Sequence, residues 1–80
     1  MKIEWTIPAR QDLRRIDREQ AMFILQTLAH YAATGEGDSK PLKGVNEFRL
    51  RAGDYRVRFE QSPSGAIRIL HVNHRKEAYR

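Results

Sequence analysis

The chain has 80 residues, a formal net charge of +5 and no cysteine. That length holds one domain with a thin core, and the missing cysteines leave no disulfide or thiolate chemistry and fit a reducing, cytoplasmic setting. The longest apolar run, Ala21 to Leu25, is five residues, far from the roughly 20 that span a bilayer, so no membrane association and no signal peptide are expected.

Charge is unevenly spread. Residues 1–39 carry five Lys/Arg against six Asp/Glu, whereas residues 40–80 carry ten against four. A one-sided basic surface suits phosphate backbone, acidic lipid or an acidic protein partner; a solvated basic face without a ligand is the plain alternative.

Ile3, Trp5 and Ile7 alternate with polar residues, the period of a half-buried strand. Pro8 opens a short helix, where its missing N–H costs nothing, and Ala9, Leu13 and Ile16 share one face. Asp17 caps a second helix with Gln20 as its capping-box partner. Ala21, Ile24, Leu25, Leu28 and Ala32 form the buried stripe of that helix, and Gly35 ends it. Residues 35–44 form a polar connection.

The period then changes from 3.6 to 2. Phe48 and Leu50 face one way, Arg49 and Arg51 the other. Ala52-Gly53-Asp54 is a tight turn. Beyond it, Tyr55, Val57 and Phe59 oppose Arg56, Arg58 and Glu60. After a second turn at Ser62-Pro63-Ser64-Gly65, Ala66 to Val72 forms a last strand apolar enough to be central. The expected fold class is α+β in the order β-α-α-β-β-β, a helical hairpin packed on a mostly antiparallel four-stranded sheet.

This alternation sorts charge by face. With the apolar residues under the helices, Arg49, Arg51, Arg56 and Arg58 crowd the opposite face, because neighbouring strands lie about 4.8 Å apart. Like charges opposite one another destabilise a sheet, and a bound anion relieves that. The planar fork of arginine grips phosphate oxygens in pairs. Alternatively, Glu47, Glu60 and solvent balance the patch. His30 reads as structural or exposed, His71 as a satisfied core residue and His74 as lying near the basic rim. No histidine pair has metal-ligand spacing, so no metal or cofactor is expected. P-loop and serine nucleophile-elbow patterns are absent.

Three segments carry a family resemblance: Lys40-Pro41-Leu42-Lys43-Gly44, Phe48-Arg49-Leu50-Arg51-Ala52-Gly53-Asp54-Tyr55-Arg56-Val57, and His74-Arg75-Lys76-Glu77-Ala78-Tyr79-Arg80. In that order they resemble the PLKG, RLRxGDYRV and HRxxxYR segments of the RelE/ParE superfamily, toxins of type II toxin–antitoxin pairs. The resemblance implies a single RelE-like toxin domain over residues 1–80. In the RelE branch it implies ribosome-dependent, metal-independent cleavage of mRNA, with the RNA 2′-hydroxyl attacking the adjacent phosphate.

The branch's functional positions match Arg49, Arg56, Arg75 and Tyr79. Arginine stays protonated, so the three arginines stabilise charge, and Tyr79 is the candidate base or orienting group with His74 as its rival. Lys40, Lys43, Arg51, Arg58, His74 and Lys76 are the candidate RNA-binding residues. Glu47 departs from the family's pattern, which in some members has a basic residue there; Arg51 shares that face. The resemblance implies a cognate antitoxin, the ribosome and mRNA as partners. The ParE branch, which inhibits DNA gyrase, and an inactive RNA-binding module are the alternatives.

Overall fold

The computed structural model describes residues 1–77. Its elements run β1 (Ile3–Trp5), α1 (Ile7–Arg14), α2 (Arg18–Thr34), β2 (Ser39–Pro41), β3 (Phe48–Ala52), β4 (Tyr55–Gln61) and β5 (Ile67–His74). The sheet order is β1-β5-β4-β3-β2. Among the described residues, only the β1–β5 pairing is parallel. The α+β class, the helical hairpin and the mostly antiparallel sheet are as expected from the sequence. The strand count is not: the described residues form five strands, because Ser39–Pro41 pairs with β3. Three residues ending in proline carry no alternation to read, and an edge is where a sheet tolerates proline.

Local chemistry sets the helix ends. Thr6 caps α1, its hydroxyl accepting from Ala9 N–H at 3.4 Å and donating to the Ile69 carbonyl at 2.7 Å. One side chain thus starts the helix and ties it to β5. The helix begins at Ile7, one residue before Pro8, and ends before Ile16. The Asp17 carboxylate accepts from Gln20 N–H at 3.4 Å to cap α2. Gly35 closes α2 in the left-handed region at φ 76°, a conformation that costs glycine nothing.

The core lies between α2 and one sheet face. Ile24, Leu28, Leu50, Val57, Phe59, Ile67 and Ile69 are fully buried. Phe59 is its centre, stacked on Phe48 at 5.4 Å and tilted against Tyr31 at 5.6 Å. The buried stripe of α2 is Ile24, Leu28, Tyr31 and Ala32. Leu25, expected inside, is partly exposed, because packing on Phe59 turns the helix toward Tyr31.

One irregularity reorders the last strand. Arg58 pairs with His71, but the next residue of β4, Phe59, pairs with Ile69, so Leu70 is an extra residue in β5. Side chains alternate with period 2. A regular strand would therefore send His71 inward after Ile67 and Ile69. The bulge at Leu70 sends Val72 inward instead and turns His71 to the outer face, correcting its expected place in the core.

Removing three carbons from Leu28 leaves a cavity that this small core cannot close. Leu28→Ala should cost about 2–5 kcal/mol of unfolding free energy and Asp17→Ala about 1 kcal/mol, measured by urea denaturation. Equal losses for the two variants would contradict the placement of Leu28 in the core.

Candidate nucleic-acid interface

The β3–β4 register puts arginine opposite arginine. Arg49 pairs with Arg58, and Arg51 with Arg56. The first row extends across the sheet, with Lys40 opposite Arg49 and His71 opposite Arg58. Asn73 continues the second row opposite Arg56. Both rows lie on the face away from the helices, since Leu50, Val57 and Phe59 fill the other.

Tight turns bring more cations to one end of these rows. Gly53, at φ 62°, occupies the first position of a two-residue hairpin loop, where such loops need a positive φ. The Gly53 carbonyl accepts from Arg51 Nε at 3.4 Å and from Arg56 Nη1 at 3.5 Å. Arg75 N–H donates to the Asp54 carbonyl at 2.7 Å, and its Nε lies 3.8 Å from Asp54 Oδ1. Arg51, Arg56 and Arg75 therefore converge on Gly53-Asp54.

The patch is only partly neutralised. Arg58 donates to Glu47 Oε2 at 2.6 Å, and Arg68 lies 3.7 Å from Glu60. Glu47 and Glu60 thus balance the end of the face nearest β1. Among the described residues, Arg49, Arg51 and Arg56 have no carboxylate within 4.0 Å. Arg56 is 93% buried, with 7% of its surface accessible. Among the described residues, the buried Nε groups of Arg49, Arg56 and Arg58 have no hydrogen-bond partner. Buried donors without acceptors are costly, so the face carries unmet capacity for an anion.

The other sequence candidates distribute unevenly. Lys40 is exposed on β2, in the Arg49 row. Lys43 is exposed in the connection from β2 to β3, and Lys76 in the turn after β5. His74 is not at the basic rim. The Leu70 bulge shifts the alternation, so His74 pairs with Tyr55, a neighbour of the core, and meets its ring edge-on at 5.3 Å. Tyr79 lies outside the described residues.

Two features escape the sequence. His71 joins the face, and Asp12 of α1 reaches it: Asp12 Oδ2 is 3.2 Å from His71 Nδ1 and accepts from Val72 N–H at 3.0 Å. The partners stand 59 and 60 residues apart, so no local pattern announces them. A broad groove of about 750 Å³ opens beside His71, lined also by Arg58, Glu47, Arg68, Glu4 and Leu70.

Comparison with known proteins places this architecture. No curated protein matches the chain. The toxin–antitoxin complex RelBE2 from Mycobacterium tuberculosis is similar at TM-score 0.81 and 22% identity, over 91% of this chain and 95% of that one. The RelB–RelE complex from Methanococcus jannaschii is similar at TM-score 0.79 and 23% identity, over 95% and 94%. A YoeB/ParE toxin from Agrobacterium tumefaciens is similar at TM-score 0.74 and 22% identity, over 92% and 98%. At these identities the likeness is one of fold. The family model for the ParE toxin of type II toxin–antitoxin system, parDE, matches residues 3–79. The chain therefore belongs to the ParE toxin family, and is a type II toxin of the RelE/ParE superfamily.

Proposed function

We propose that this toxin is a ribosome-dependent mRNA endoribonuclease that halts translation. The observation that carries the reading is the pair of arginine-on-arginine rows, whose buried Nε groups have no acceptor among the described residues. Repulsion between directly opposed cations is relieved by a bound phosphate. In the reaction the RNA 2′-hydroxyl attacks the adjacent phosphate, and negative charge grows on the phosphoryl oxygens. Arg49, Arg56 and Arg75 stabilise that charge, which fixed cations do best where water is excluded. Lys40, Arg51 and Arg58 hold the flanking backbone, with Lys43 and Lys76 as outlying contacts. Tyr79 is the resemblance's candidate for proton transfer.

A cognate antitoxin silences the toxin; two similar structures are complexes of a RelE toxin with a RelB antitoxin. A toxin acting on ribosomes works in the cytoplasm. A second reading, inhibition of DNA gyrase, has its own support in the family model, which is that of ParE. The third, an inactive RNA-binding module, draws on Glu47, which occupies Arg58.

One set of assays separates the three. Purified protein with programmed ribosomes should cut messenger in the decoding site, as mapped by primer extension, and leave supercoiling by gyrase untouched. Inhibited gyrase with intact messenger would establish the second reading, and RNA retained on a filter without either effect the third. Arg49→Ala should slow single-turnover cleavage about 100-fold or more, the usual loss when a donor to transition-state charge is removed. Glu47→Gln frees Arg58 and should tighten RNA binding about twofold to fivefold, the scale of a partly exposed ion pair, with the gain shrinking at high salt.

A further inference from the structure

We infer that His71, held by Asp12, is the base that takes the proton of the RNA 2′-hydroxyl. The inference rests on the RNA-cleavage reading and names a residue outside the family resemblance.

Three observations converge on it. The Leu70 bulge turns His71 out of the core and onto the arginine face, directly opposite Arg58. Bulges often re-aim a side chain beside an active site. Second, Asp12 fixes the ring. An ionised carboxylate can only accept, so His71 Nδ1 donates across the 3.2 Å contact. The neutral imidazole is then the tautomer with a free lone pair on Nε2. Asp12 is itself held, because the same Oδ2 accepts Val72 N–H at 3.0 Å. Third, His71 lines the open groove with Arg58, and 46% of its side-chain surface is accessible. With strands about 4.8 Å apart, Arg58 and then Arg49 stand next to the imidazole in one row, where cations meet the phosphate that the 2′-oxygen attacks.

Nε2 takes the 2′-hydroxyl proton as the 2′-oxygen forms its bond to phosphorus. The bond from phosphorus to the 5′-oxygen breaks, and its electron pair leaves with that oxygen. Water protonates the leaving oxygen, and the resulting hydroxide is neutralised by the proton of the imidazolium. The products are a 2′,3′-cyclic phosphate and a 5′-hydroxyl. Asp12 is a positioning residue in this scheme.

The charged groups facing His71 are Asp12 from α1, Arg58 from β4, Glu47 before β3, Glu4 from β1 and Arg68 on its own strand. A base is inactive once protonated, so cleavage should fall on acidification. Single-turnover cleavage on programmed ribosomes, measured against pH, tests this. His71→Ala and His71→Gln should each slow cleavage about 100-fold or more and abolish that acid limb, with melting temperatures near that of the parent. Asp12→Ala removes the one oxygen shared by His71 Nδ1 and Val72 N–H. The imidazole then turns freely and takes either tautomer, so cleavage should slow about 10-fold, part of the factor the base supplies, while the acid limb persists.

Parent-like rates in both His71 variants overturn the assignment while the cleavage reading stands, as does slower cleavage in those variants with an unchanged acid limb. If Tyr79→Phe removes the limb and His71→Ala does not, the base is Tyr79 and the inference is wrong. A parent protein that leaves messenger intact overturns the cleavage reading and this inference with it.

Discussion

The outer face depends on one extra residue in β5. Leu70 shifts the pairing with β4 by one position, and from there on every side chain changes sides. Val72 then packs inward with Ile67 and Ile69, so the core stays apolar along the strand. His71 and Asn73 join the arginine rows, and His74 turns toward Tyr55. Because the side-chain period is 2, nothing less than a one-residue shift achieves this, and nothing more is needed.

Support for the shifted strand comes from α1. Beyond Ile69, β5 has left its pairing with β1, and its edge needs partners. Thr6 hydrogen-bonds the Ile69 carbonyl, and Asp12 accepts Val72 N–H. The short helix therefore serves as a polar clamp on the bulged edge as well as a cover. Its caps, its tie to the sheet and its contact with His71 are consequences of one docking.

Much of this was legible in the sequence where the signal is local. Phe48 to Arg51 and Tyr55 to Glu60 alternate cleanly, so the arginine face and the tight turn between its strands could be read directly. Asp17 and Gly35 mark the ends of α2 by their chemistry. The edge strand Ser39–Pro41 could not be read, because three residues hold too little pattern. The bulge was hidden for a different reason: Leu70, His71 and Val72 fit a regular strand as well as a bulged one, and the choice is made by packing against Phe59 and α1. The same shift moved His74 away from the basic rim and His71 onto the face. The burial of Arg56 and the Arg58–Glu47 pair follow from tertiary neighbours, to which alternation alone is blind.

The central claim is that the arginine rows, with the bulge that completes them, form the RNA-binding surface of this toxin. Titrating ¹⁵N-labelled protein with a 2′-O-methyl oligoribonucleotide, which cannot be cleaved by 2′-oxygen attack, tests it directly by NMR. The account predicts shifts in the amide and side-chain signals of Arg49, Arg51, Arg56, Arg58 and His71, with α2 silent. Shifts centred on α2, with the outer face of β3, β4 and β5 unmoved, would contradict it.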